Sequence, residues 1–240
     1  MDFSHVHLYR HDSLPDLGRI VKEVSGIIKC DLDVREPFLH SGMQALEEAR
    51  ISDIMQPFGG QPAHHQDFNL YGRMVPLYDG FELQRLLAQA IPEKTTDHLH
   101  VVFTDMLICT FSEDDWRYHA RAVICGTPSI VSTTGIVEAP AKPREFYMQP
   151  FADTKRKLAG RFIDYGDDRM TDAAAGYVLQ TIFFFLTGGE PFCDNDSCRL
   201  YNAHWQEDLI RTQVHNPVLC LKHRSIANKF NRTLAGRKRI

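Results

Sequence analysis

The 240-residue sequence predicts an α+β fold, a twisted mixed sheet packed on helices, and three observations carry that expectation. The chain opens with a strand–helix–strand pattern, the start of a layered α-and-β architecture. Its middle holds HLHVVFT at 98–104, a run of buried-strand character, with further strand-like runs close behind. It ends with a long apolar helix that leads into two closely spaced pairs of cysteine and histidine.

Composition sets the outer limits. A hydrophobic content of 43 % and a charged content of 24 % belong to an ordinary globular chain, and the length suits one large domain or two small ones, with a substantial core. No apolar run reaches the roughly 18 residues needed to cross a bilayer, and the opening MDFSHVHLYRHD is too polar for a signal peptide. Six cysteines without an export signal predict a reducing, cytoplasmic setting, and metal ligation rather than disulfides. No P-loop, dinucleotide fingerprint or nucleophile elbow occurs, which argues against those enzyme classes.

Taken in order, residues 5–9 alternate as a first strand. Ser13 reads as an N-cap with Pro15 in the first turn, and the helix runs through Ile20, Val21 and Val24 to Gly26. Residues 29–35 alternate again, and Pro37 ends them. A second helix is expected from Ser41, with Leu46 and Ile51 on its apolar face. Residues 56–79 are punctuated by Gly and Pro and read as loop; 81–91 form an amphipathic helix. After 98–104 come strands at 116–125 and 129–132, joined around Gly126-Thr-Pro. Residues 144–165 are expected to be helical, broken at Pro150, with a basic cluster at Lys155, Arg156, Lys157 and Arg161. Asp167 or Thr171 caps the long helix; 177–186 is apolar almost all round, which predicts burial, and Gly188 suits the C′ position.

Beyond that helix lie Cys193, Cys198, Cys220 and His223. Three thiolates and one imidazole, in two close pairs, make a tetrahedral zinc set of the closed, structural type. Each short spacing pre-forms half of the chelate, so the ion closes a single longer loop. Buried free cysteines are the plain alternative, but the Asp/Asn/Ser-rich and Pro-flanked surroundings are unlike a core.

The same stretch resembles the archaemetzincins, zinc-dependent metallopeptidases whose helix carries HExxHxxGxxH, then a Cys, CxxxxC and a downstream CxxC. Setting Cys193 on the first Cys brings Gly189 onto the family's glycine, Cys198 and Cys220 onto its next cysteines, and His223 onto the fourth. The three histidine positions of the motif are Ile182, Leu186 and Phe192, and the general-base Glu position is Phe183. The runs VVFTD, AVICG and IVS are also similar to the family's sheet. The resemblance implies a zincin-like fold at 1–230, a zinc-stapled subdomain at 189–230, one structural zinc and no catalytic residues.

Two strands carry paired histidines: His5 and His7, and His98 and His100, each pair on one strand face. They are the alternative source of a metal site, which would make the chain an active metallohydrolase; a half-exposed strand end is the plainer reading. His64-His65 reads as solvated loop. From 209 on there are eight Lys or Arg and no acid, and residues 231–240 are expected to be a mobile basic tail, the one place whose charge suits nucleic acid. The expected function is a zinc-binding, metallopeptidase-like scaffold without peptidase chemistry that holds a peptide or protein partner, away from membranes.

Overall fold

A computed structural model describes residues 3–14, 16–37, 44–61, 64, 66–70, 73–91, 95–148, 158 and 160–237. Pro15, Ser41, His65, Pro150, the Lys155–Arg156–Lys157 cluster and residues 238–240 lie outside them.

The principal sheet has the strand order β2 (Asp31–Arg35), β1 (His5–Tyr9), β6 (His98–Thr104), β10 (Ser129–Ser132) and β9 (Val123–Ile124). The first four strands are parallel, and β9 runs antiparallel at the edge. Central parallel strands are covered on both faces, and β6 accordingly buries six consecutive residues after His98. On one face Val6, Leu8, Leu99, Val101, Phe103 and Val131 meet Ile20 and Val24 of helix α1 (Leu17–Ile27) and the long helix described below. On the other, Tyr9, Val102 and Ile130 meet Leu83 and Leu87 of helix α3 (Gly80–Ala90).

Alternation places β1, β6 and β10 at or close to their expected bounds. Elsewhere the structure differs. The α1 cap is Asp16, whose carboxylate accepts the Arg19 N–H at 2.9 Å. Ser13 instead accepts a bond from Thr133 Oγ1 at 2.8 Å. The second helix is the short α2 (Gln44–Glu47). The region read as loop contains β3 (Phe68–Leu70), β4 (Arg73–Val75) and β5 (Leu77–Asp79). β5 joins β7 (Leu107–Ser112) and β8 (Arg117–Arg121) in a second sheet. The single strand expected at 116–125 is two strands: β8 pairs with β7, and after Ala122 the same run pairs with β10 as β9. The chain thus turns a corner between sheets, as strands do where two sheets meet.

Helix α4 (Thr133–Glu138) follows β10 and is capped by Ser132, which accepts the Gly135 N–H at 2.8 Å. Of the helix expected at 144–165, α5 (Arg144–Met148) lies among the described residues, and 149–157 lie outside them. Gly160 and Gly166, at φ +88° and +75°, hold left-handed conformations a helix cannot continue through. There the Arg169 guanidinium donates to the Gly160 and Phe162 carbonyls at 2.7 and 2.8 Å.

Helix α6 (Arg169–Thr187) is the spine. Its apolar sequence is buried as expected, including Gln180 at 2 % and Thr181 at 1 % exposure. Of the two expected caps, Asp167 accepts the Arg169 N–H at 2.9 Å, whereas Thr171 is buried within the helix. Gly188 closes it in the left-handed conformation, φ +76°. Helix α7 (Gln206–Ile210) runs into a π-helical turn (Arg211–His215), and α8 (Leu221–Arg237) completes the fold.

Residues 231–237 of the expected tail belong to α8. α8 continues through the expected boundary because three residues anchor it to the N-terminal half. Phe230 stacks on Phe3 with centroids 4.6 Å apart. Asn231 donates to the Ile27 carbonyl and accepts the Lys29 N–H, both at 2.9 Å. Leu234 is buried.

Candidate metal centre

The structure brings Cys193, Cys198, Cys220 and His223 together, with all four candidate donor atoms within 4.8 Å of one another. Local backbone geometry explains how. The loop after α6 turns at Asn195, whose carbonyl accepts the Cys198 N–H at 2.9 Å. Cys193 N–H bonds the Leu200 carbonyl at 2.8 Å, closing the first chelate arm on itself. Cys220 stands immediately before α8, and His223 lies in that helix's first turn, so the second arm is one helical turn.

The distances suit a tetrahedral ion. Cys193 Sγ and Cys220 Sγ are 4.0 Å apart, and His223 Nδ1 lies 3.2 Å from Cys220 Sγ and 3.6 Å from Cys198 Sγ. Bonds of about 2.3 Å to sulfur and about 2.0 Å to nitrogen in a tetrahedron place sulfurs roughly 3.8 Å apart and sulfur and nitrogen roughly 3.5 Å apart. Electrostatics point the same way. Burial pushes the Cys198 thiol up to about 12, so without a cation it would stay protonated. Burial also pushes Cys220 up, but the N–H groups of His223 and Lys222 and the neighbouring thiols outweigh it and hold Cys220 below the ordinary value. Desolvation, with the charge of Lys222, lowers His223 and keeps its imidazole neutral, the form that binds metal. None of the six cysteines, all of them among the described residues, is in a disulfide.

A buried polar network, not evident from the sequence, ties this frame to the spine. Arg199, next to Cys198 and 2 % exposed, donates to Glu23 Oε2 at 2.7 Å and to the Asp172 carbonyl at 3.1 Å. Gln213 of the π-helical turn donates to the Arg199 carbonyl at 2.6 Å. Its amide presses on Gly176 of α6, where a Cβ would collide with it. The only hint in the sequence was an arginine directly after a ligand.

The positions that the archaemetzincin resemblance assigns to catalysis add no donor to this group. Ile182 and Phe183 are fully buried, and Leu186 packs partly against the main core. Phe192, unlike these three, is 39 % exposed. With Tyr177, Phe184 and Gly189 it lines a cleft of about 550 Å³. The opposite wall is the contiguous stretch 120–125, which includes edge strand β9, and His204, another residue the sequence did not single out, stands in the cleft.

The structure also brings together His5, His7, His98 and His100. β1 and β6 pair in register, His5 opposite His98 and His7 opposite His100, so four imidazoles share one sheet face. His7 and His100 are buried; His64 is exposed, as its loop reading implied. Among the described residues, no helix is long and apolar enough to cross a membrane.

A family model described as "Probable metallopeptidase family (DUF6775)" matches residues 2–230. No curated protein matches the chain. The crystal structure of a zinc-dependent peptidase from Methanocorpusculum labreanum (strain Z) is similar at 15 % identity and a TM-score of 0.45, covering 93 % of this chain and 99 % of that one.

Proposed function

The chain belongs to the family described as "Probable metallopeptidase family (DUF6775)", and from that premise we propose that it is a metallopeptidase-like zinc protein that binds peptide without cutting it. One structural zinc sits on Cys193, Cys198, Cys220 and His223. Four protein ligands complete a tetrahedral shell and leave no position for a water to be activated. The ion's contribution is to folding: it joins the loop after α6 to the first turn of α8. The chain's own residues supply the rest, Arg199 by orienting the Cys198 arm and Phe183 by walling the His223 ring.

The observation that carries the binding role is the cleft beside β9. Strand β9 is the sheet edge, paired on one side by β10, and an extended peptide adds to such an edge through backbone hydrogen bonds. Tyr177, Phe184 and the exposed Phe192 then offer apolar contact to its side chains. Proton-transfer and metal-binding groups are missing from Ile182, Phe183, Leu186 and Phe192, so the bound peptide is held intact.

The test is binding of a fluorescent library of extended peptides with apolar side chains, with mass spectrometry of the recovered peptides. Micromolar binding that is lost in Phe192→Asp, with melting unchanged and the peptides intact, supports the reading. Peptides that emerge cleaved, or binding indifferent to Phe192→Asp, would sink it.

A further inference from the structure

We infer that the cleft beside β9 takes the C-terminal end of a peptide, its free carboxylate held by the Arg121 guanidinium and the Tyr177 hydroxyl. This capture rests on the peptide-binding reading above and fixes which end of the peptide is recognised.

The charge of the cleft is one-sided. The chain carries 31 acidic and 27 basic residues, yet among the described residues that line the cleft none is acidic, while Arg121 and His204 are basic. Arg121 is steadied by one bond, from its Nε to Thr110 Oγ1 at 2.8 Å. Its two terminal nitrogens make no ion pair and no further hydrogen bond among the described residues. A guanidinium with its fork open matches a carboxylate, which it binds through two parallel hydrogen bonds. His204 is held in place by its backbone carbonyl, which accepts the Ala141 N–H at 2.7 Å, and its imidazole adds a further nitrogen donor.

Tyr177 is a second, independent sign of a polar ligand. It belongs to the buried spine and is only 7 % exposed, yet its hydroxyl has no hydrogen-bond partner among the described residues. Buried tyrosine hydroxyls are normally paired. This one lines the cleft and is not sealed off from it. Burial raises its pKa, so it stays a phenol and keeps a proton to donate. An ionised carboxylate only accepts, and so completes such a donor.

Strand register decides which end of the peptide arrives here. The Ala122 carbonyl accepts the Ser132 N–H at 2.8 Å. Hydrogen-bonding direction alternates along an antiparallel pair, so the N–H and carbonyl of Val123 point to the open side of β9. A peptide residue set opposite Val123 in the antiparallel sense runs its chain from Ile124 toward Arg121. Two residues of strand cover roughly 6.8 Å, which brings a carboxylate just past that residue within reach of the Arg121 side chain. The parallel sense would bring the ammonium end, a cation, to the same guanidinium. Charge therefore selects antiparallel docking. The edge also ends there, because at Ala122 the chain leaves for the second sheet, so a docked strand that stops at Arg121 forgoes no pairing.

The experiment is fluorescence anisotropy on the full chain with three short apolar peptides labelled at the N-terminus. One ends in a free carboxylate, one is its C-terminal amide, and one is an amide with an internal glutamate. The free acid should bind at least about tenfold more tightly than either amide, as hydrogen bonds to a charged group allow. Arg121→Gln should abolish that preference with melting unchanged, and Tyr177→Phe should reduce it. Equal binding of the acid and the plain amide, or a preference undiminished in either variant, would overturn the assignment. So would a glutamate-bearing amide that binds as tightly as the acid, because a side-chain carboxylate would then be the group recognised. Should Arg121→Gln fail to fold, the three peptides on the wild type decide by themselves. Equal binding of acid and amide that Phe192→Asp abolishes removes the carboxylate site and keeps peptide binding, whereas no binding of any of the three removes both. Self-association of the wild type that Phe192→Asp abolishes would give the cleft to a second copy of the chain and overturn the capture.

Discussion

The Phe183 ring stands edge-on to the imidazole of His223, with centroids 5.3 Å apart and planes at 84°. The position that the archaemetzincin resemblance gives to a general base is therefore a wall of the candidate zinc centre, and both residues are essentially buried. An aromatic edge against a neutral imidazole supplies packing and fixes the ring's orientation, and it supplies no proton transfer. The spine and the staple are one structural unit.

That unit makes the proposed zinc ligands decisive for the C-terminal segment. Cys198→Ser should release the ion, cost more than about 4 kcal/mol of stability, and open residues 190–230 to limited proteolysis. Chelation of the wild type should do the same. Retention of full zinc with an unchanged melting temperature would show the ligand assignment to be wrong.

Helix α8 gives a prediction in two parts. Leu234 is buried near its end, so Leu234→Ala should cost about 2 kcal/mol, at the low end for a buried leucine because the site is close to the chain's end. Removing everything after Phe230 should cost more, since it also deletes the Asn231 bonds to Ile27 and Lys29. Equal denaturation midpoints for wild type and both variants would return this segment to the status of a dispensable tail.

Asp167 predicts a pH dependence. Burial raises its pKa, but the bonds from the Arg169 side chain and backbone N–H outweigh that and hold the carboxyl below its ordinary value. A depressed folded value means the stabilisation is complete above the unfolded pKa of about 3.9 and is lost as pH falls through the folded one. Asp167→Asn should therefore cost up to about 1 kcal/mol at pH 7 through the lost ion pair with Arg169, with the gap to wild type closing as pH falls through the depressed folded value. A gap of constant size from pH 7 to pH 2.5 in urea melts would contradict the assignment.

What the sequence revealed, and what it hid, follows from the range of the interactions. Alternation in HLHVVFT, the apolar run of α6, Gly188 and the Cys/His spacing are local signals, and each located its element or a group of side chains that converge. The change of sheet at Ala122 is not local: 116–125 reads as one strand, and only the partners β7 and β10 split it. β5 hid among Pro and Gly because its partner β7 lies about thirty residues downstream. The four-histidine face was half legible. Each pair was visible on its own strand, but the register that joins them is a contact across more than ninety residues. Arg199 and Gln213 left almost no trace, because a buried ion pair has no periodicity.

The last prediction concerns the two motif positions inside α6. Ile182 and Phe183 are each fully buried on α6, and burying such a side chain is worth about 1.5–3 kcal/mol. Replacing them by His and Glu would forfeit that packing and leave polar groups without partners, at a further cost of about 1–3 kcal/mol each. Ile182→His/Phe183→Glu should thus lose more than about 4 kcal/mol and disturb His223, which Phe183 touches. No hydrolysis should appear, because the cleft side of α6 is formed by Tyr177 and Phe184 rather than by these two positions. The wild-type chain should show no chelator-sensitive peptide hydrolysis either. Cleavage by the wild type that stops on chelation while the fold survives, and returns with zinc, would prove the spine to be more than structural.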